Sequence, residues 1–174
     1  MQVEFTVRDY RPEDFLTLWT IDQGCFAPEI AYSQFELRRY IRWATSFTLV
    51  AERRITAEAV PNVVAIDSSG IIGFVVVNCG KTAGHIITID VRAEARGKRV
   101  GSALLNNAED RLRSSGCRSV RLETAVDNVA AIAFYKKHGY AVVNAMPRYY
   151  SNGVDALVLE KDLHSPLLSD NLQK

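Results

Sequence analysis

The chain has 174 residues, 48% of them hydrophobic and 24% charged, which suits one water-soluble globular domain with a sizeable core. A formal net charge of +1 excludes a global pull toward nucleic acid or an anionic membrane, so any anion site must come from a local cluster. The three cysteines, Cys25, Cys79 and Cys117, lie far apart in sequence and match neither a zinc spacing nor a disulfide framework; they read as reduced, mostly buried thiols.

The first residues alternate Val3, Phe5 and Val7 without a long apolar stretch, unlike a signal peptide. No apolar run approaches the roughly 20 residues a membrane span needs. A cytoplasmic protein with no membrane partner is the expectation.

Val3–Asp9 alternates as a half-buried strand does. Pro12-Glu13-Asp14 then opens a helix, with proline in its tolerated first turn and two acids complementing the dipole. Phe15, Leu18, Trp19 and Asp22 follow at helical spacing. After Pro28, Ser33 caps a second helix with Glu36 as its capping-box partner, and Leu37, Tyr40 and Ile41 form the apolar face. Phe47–Glu52 reads as a strand and Arg53–Asn62 as an irregular polar stretch. Val63–Asp67 and Ile71–Asn78 are β-branched runs separated by Ser68-Ser69-Gly70, a hairpin signal. The turn Gly80–Gly84 leads into a further strand, His85–Val91.

Arg96–Ser115 is expected to be helical, with Val100, Leu104, Ala108 and Leu112 at every fourth position and Gly116 as the stop. Ser119–Thr124 is a strand, Asn128–His138 a helix stopped by Gly139, and Tyr140–Asn144 with Asp155–Lys161 a closing antiparallel pair. Ser165–Lys174 reads as a loose tail, so residues 1–163 form one domain and 164–174 its tail. The sum is a mixed α/β domain around one sheet.

Chemistry enters where strand His85–Val91 runs into Arg96-Gly97-Lys98-Arg99-Val100-Gly101-Ser102. Glycines at a strand-to-helix junction let the backbone turn tightly, and the helix N-terminal N–H groups then point at an anion. Arg96, Lys98 and Arg99 add positive charge where a pyrophosphate would sit. The segment alone equally fits a basic, solvent-exposed helix start. Its glycine spacing disfavours a Rossmann dinucleotide turn, and no Gly-Lys-Ser/Thr closes a P-loop.

Followed by Ala103-Leu104-Leu105, this turn resembles the acetyl-CoA pyrophosphate loop of the GNAT superfamily, Gln/Arg-x-x-Gly-x-Gly/Ala, with Arg99 standing where the middle glycine is usual. Asn128-x-x-Ala131-x-x-Phe134-Tyr135-x-x-x-Gly139-Tyr140 resembles that superfamily's downstream helix, in which Asn contacts the pantetheine arm and Tyr lies near the sulfur. The likeness covers Val3 to Leu163. It implies the GNAT fold, a mixed and mostly antiparallel sheet with splayed central strands flanked by helices. It also implies acetyl-CoA as co-substrate, without a metal, held by Val91, Arg96, Gly97, Lys98, Arg99, Val100, Gly101, Ser102, Asn128 and Lys137.

In that superfamily the thioester lies in the opening between the splayed strands. A backbone N–H near Val91 would polarise its carbonyl as a small oxyanion hole. Tyr135 is the natural acid for the leaving thiolate, against the alternative of a core aromatic beside Phe134. Glu123, twelve residues before Tyr135, stands as in the ribosomal-protein alanine N-acetyltransferases, where the pair is the proposed base and acid. The alternative is a solvated strand-end carboxylate. His85 matches the position of a catalytic tyrosine in related N-terminal acetyltransferases and is a second base candidate, or a structural histidine. His138, near a helix C-terminus, reads as a dipole partner.

Arg148-Tyr149-Tyr150, followed by Asp155-Ala156, resembles the tyrosine-pair loop that folds over a peptide N-terminus in protein N-terminal acetyltransferases, with Cys25–Tyr32 as the opposite wall. Tyr32, Tyr149 and Tyr150 are thereby candidate acceptor contacts. About one in seven α-amines is neutral at pH 7, against roughly one in 2,500 lysines, so a modest base suits an α-amine. The expected partner is a protein N-terminus or peptide. A small-molecule amine, a lysine, or a non-catalytic acyl-CoA-binding module are the alternatives. Nucleic acid is not expected, because the basic residues cluster at the turn rather than along a face.

Overall fold

The computed structural model describes residues 4–54 and 70–164. The expected strand Val63–Asp67, Val3, residues 55–62 of the irregular stretch and the tail from Ser165 lie outside the described residues.

Among the described residues, seven strands form one sheet: β1 (Phe5–Asp9), β2 (Ser46–Arg53), β3 (Ile71–Cys79), β4 (Ala83–Val91), β5 (Ser119–Ala125), β6 (Ala141–Met146) and β7 (Ala156–Asp162). Their order is β1-β2-β3-β4-β5-β7-β6, with every neighbour antiparallel except β4 and β5. The helices are α1 (Phe15–Cys25), α2 (Gln34–Ile41), α3 (Val100–Ser114) and α4 (Val129–Lys137). α1 and α2 cover one face, over Val50, Ile71, Phe74 and Val76. α3 covers the other with Leu104, Leu105, Ala108 and Leu112, and Ala131, Phe134 and Tyr135 of α4 pack against the same core. The alternation read from the sequence sorts the strands between the two cores, as a period of two must.

Local chemistry explains the element ends. Ser33 and Glu36 close the expected capping box, each side chain meeting the other's backbone N–H. Pro12–Asp14 is a separate 3-10 turn rather than the first turn of α1. The helix expected from Arg96 begins only at Val100. Gly97 at φ +72° and Arg99 at φ +66° are left-handed, which a right-handed helix cannot contain. Arg99 holds that conformation without being glycine, at a cost of roughly 1 kcal/mol. Tyr140 falls just before β6 because it is drawn into the core.

The parallel contact between β4 and β5 is what shapes the site. It comprises Ala83 with Ser119, Gly84 with Val120 and His85 with Arg121, and ends there. Beyond His85 the strands part. A register shift between Val76 and Val77 against β4 bulges the strand at Ile87, which re-aims the rest of β4.

Candidate active site

His85 occupies the last paired rung, and Glu123 lies two residues farther along β5, where the opening has begun. Val120 and Leu122 face the α3 core, so Glu123 projects to the opposite, α1–α2 side. Ile86 also faces the α3 core, which puts His85 on that same side. The two side chains meet: His85 Nε2 is 2.5 Å from Glu123 Oε2. They are partly open to solvent, at 30% and 13% side-chain exposure, so a substrate can reach a pair that is otherwise sheltered. The two residues read as competing base candidates form one unit.

Two loops meet on this side of the sheet. Tyr32 is anchored by its backbone, its N–H donating to Asp22 Oδ2 at 2.9 Å and its carbonyl accepting from Trp19 Nε1 and Gln23 Nε2. Its hydroxyl reaches the Ile87 carbonyl at the bulge, 3.5 Å away. From the other side Ser151 Oγ donates to the Glu29 carbonyl at 2.5 Å, joining the β6–β7 loop to the α1–α2 loop. Tyr149 and Tyr150 stack edge to face at 5.1 Å. Burial, the Tyr149 phenol and the nearby Glu123 carboxylate push Tyr150 up to about 12. The two loops therefore touch each other, and Tyr149 and Tyr150 lie near enough to Glu123 to feel its charge.

Tyr135 enters from α4, 6% exposed, and its hydroxyl engages no partner among the described residues. Burial, with smaller contributions from Asp90 and Tyr150, raises its phenol, which stays protonated and able to donate through the neutral range.

At the far end of the opening, Arg92 N–H bonds the Ile72 carbonyl, so Asp90 also faces β3 and the backbone groups of Ile89 and Val91 face the gap. The turn after β4 leaves Gly97, Lys98 and Arg99 exposed before α3. Arg96 departs from its expected place: Nε is tied back to the Val91 carbonyl at 3.0 Å and Nη2 to Cys25 Sγ. The Phe134 ring lies near Gly101 at the start of α3. Asn128 caps α4, its Oδ1 accepting from Ala131 N–H at 3.1 Å.

His138 does more than complement a dipole. It bonds the Phe134 carbonyl through Nδ1 at 2.8 Å and Ser102 Oγ through Nε2 at 3.0 Å, locking the end of α4 to the first turn of α3. Lys137, the residue before His138, ends α4 and is exposed. An exposed helix N-terminus preceded by Lys98 and Arg99 fits a pyrophosphate, and no cluster of metal-ligating side chains occurs among the described residues.

Two buried acids behind β4 carry no local sequence signal. Asp22 and Asp90 are 0% and 1% exposed, and each leaves one carboxylate oxygen without a partner. Burial pushes Asp22 up to about 6, and burial with the facing Asp22 holds Asp90 well above the carboxylate range. A raised folded-state value means the native chain binds the proton more tightly than the unfolded one. The stability that Asp22 contributes below pH ~4 is therefore lost as pH rises toward about 6. Asp22→Asn should gain on the wild type by on the order of 2–3 kcal/mol between pH 4 and pH 7, measured by urea unfolding. Parallel pH profiles for the two proteins would refute this.

The model of the acetyltransferase (GNAT) family matches residues 15–140. The chain belongs to the GNAT family. N-alpha-acetyltransferase 30 of Schizosaccharomyces pombe is 36% identical over 98 residues, 53% of this chain and 65% of that protein. An uncharacterised N-acetyltransferase of Methanocaldococcus jannaschii is 35% identical over 92 residues, 52% of this chain and 59% of that one. The chain thus spans about six tenths of the length of these curated relatives. Among solved structures, Ard1 from Thermoplasma volcanium superposes with a TM-score of 0.77 at 26% identity, covering 92% of this chain and 98% of that one. The ribosomal-protein-S18-alanine N-acetyltransferase of Escherichia coli gives 0.76 at 18% identity, covering 97% and 99%, a likeness of fold. The expected GNAT architecture, with its splayed β4 and β5, is the one observed.

Proposed function

We propose that this chain transfers the acetyl group of acetyl-CoA to the N-terminal α-amine of a protein or peptide. The observation that carries this reading is the His85–Glu123 contact at the root of the opening, on the side enclosed by Tyr32, Tyr149 and Tyr150. Acetyl-CoA supplies an activated acyl carbon and a thiolate leaving group. Lys98, Arg99, Lys137 and the α3 N-terminus hold its pyrophosphate, Gly97 supplies a left-handed residue of the turn, and Val100, Gly101 and Ser102 form the first turn of α3. Asn128 offers its amide N–H groups to the pantetheine arm, its oxygen being the α4 cap. The Val91 N–H, directed into the gap, stabilises the developing oxyanion.

The acceptor amine enters between the two loops. Glu123 takes its proton, directly or by way of His85, which it meets at 2.5 Å. Tyr135 donates to the departing sulfur. No covalent intermediate is needed, because alignment of amine and thioester removes much of the entropic barrier.

The relatives support an α-amine acceptor: the Schizosaccharomyces pombe protein is an N-alpha-acetyltransferase by name, and the curated N-alpha-acetyltransferase of Sulfolobus acidocaldarius is 35% identical over 81 residues. Incubation with acetyl-CoA and a panel of N-terminal peptides should give acetylated α-amines by mass spectrometry. Tyr135→Phe should lower kcat by about 10²-fold with little change in the KM for peptide. Turnover confined to lysine side chains, polyamines or aminoglycosides would overturn the acceptor assignment, and no turnover on any amine would overturn the enzyme.

A further inference from the structure

One cluster of reactive side chains takes no part in that reaction. Cys79 ends β3 and Cys117 lies between α3 and β5, yet their sulfurs are 3.6 Å apart across a separation of 38 residues. Cys117 is fully buried and Cys79 partly exposed, and both are free thiols. Both sulfurs also approach the Gly80 carbonyl, Cys117 at 3.4 Å. The backbone around them is fixed: Gly80 N–H bonds the Ala83 carbonyl and Arg118 N–H bonds the Thr82 carbonyl. This is the foot of the β4–β5 ladder, beside the Ala83–Ser119 rung.

We propose that Cys79 and Cys117 are a modification site, a dithiol that closes to an intramolecular disulfide by exchange with a small-molecule disulfide such as oxidised glutathione. The bond would pin the β3–β4 turn to the start of β5, below the opening that holds the proposed active site. Bond formation draws the sulfurs together by about 1.5 Å, the scale of a side-chain rotation rather than a chain movement.

Entry is at Cys79, the thiol that solvent reaches. Its thiolate attacks one sulfur of oxidised glutathione and expels a glutathione thiolate, leaving a mixed disulfide. Cys117, as thiolate, then attacks Cys79 Sγ and expels the second glutathione. Two protein S–H bonds are lost, one S–S bond forms in the protein, and one oxidised glutathione becomes two reduced ones. Burial, reinforced by the neighbouring Cys79 thiol, pushes Cys117 up to about 11, so the closing step quickens as pH rises. Cys25 is an internal control, since it lies at the other end of β4 against the Val91 carbonyl.

The test is incubation of the full chain with oxidised glutathione at pH 7 and pH 9, then alkylation, digestion and mass spectrometry. The expected product is a linked pair of peptides bearing Cys79 and Cys117, two hydrogens lighter than the dithiol, formed faster at pH 9, with Cys25 alkylated. The oxidised chain should melt several degrees higher, and dithiothreitol should reverse both changes. Cys117→Ser should stop at a glutathione adduct on Cys79, whereas Cys79→Ser, a change at a partly exposed position, should take up no glutathione at Cys117. Two alkylated thiols, a stable mixed disulfide on wild-type Cys79, or a link involving Cys25 would each overturn the assignment.

Discussion

Glutamine in place of Glu123 is expected to lower kcat for peptide acetylation by about 10²-fold or more at neutral pH, with the KM for acetyl-CoA within about twofold of wild type. The amide keeps the size of the carboxylate and can still bond His85, but it cannot accept a proton. The basic turn before α3 lies at the other end of the opening, so cofactor affinity is not touched. The defect should shrink as pH rises from 7 to 9. About one in seven α-amines is neutral at pH 7 and nearly all are at pH 9, so solution performs part of the work of the missing base. Because the pair acts across a 2.5 Å contact, Glu123→Gln combined with His85→Ala should cost about as much as the worse single change. Initial rates across this pH range decide the matter. Activity at wild-type level, or losses that multiply in the double variant, would remove the dyad from the mechanism.

What could be read from the sequence was local. The Ser33–Glu36 box, the start of a helix at Asn128 and the basic turn before α3 are made within a few residues, and each stands where its spacing placed it. The left-handed φ of Arg99 was hidden, because arginine carries no signal for that conformation as glycine does. Contacts between elements were hidden for a different reason. Periodicity tells which face a residue takes but not the register of two parallel strands, so Glu123 and His85 were named separately and their meeting could not be seen. The same holds for His138 on Ser102, and for Cys79 and Cys117, which only the folding of β3 against the α3–β5 connection brings together. Asp22 was read as one more position on a helix, whereas it is wholly buried and holds Tyr32 in place.

The periodicity of α3 also concealed a charge, and its removal should have the largest effect on stability. Glu109 is 2% exposed, between the apolar Ala108 and Leu112, and accepts from Lys161 Nζ at 2.6 Å, Tyr140 hydroxyl at 3.0 Å and Arg113 Nη2 at 3.2 Å. Lys161 is 8% exposed, so its ammonium depends on this carboxylate. Glu109→Gln should destabilise the chain by about 3–5 kcal/mol, because it leaves a buried cation without its counter-charge. Urea unfolding should show a lower midpoint with an unchanged slope. Pairing Glu109→Leu with Lys161→Met should cost less than the sum of the single changes, since the stranded charge is then gone as well. Additive losses would mean that the two residues do not act as a pair. The cluster bears on the site because it ties α3 and β7 to Tyr140, whose ring lies 5.6 Å from that of Tyr135. A variant that stays folded but loosens this contact should therefore lose kcat through the position of Tyr135 while the His85–Glu123 pair remains in place.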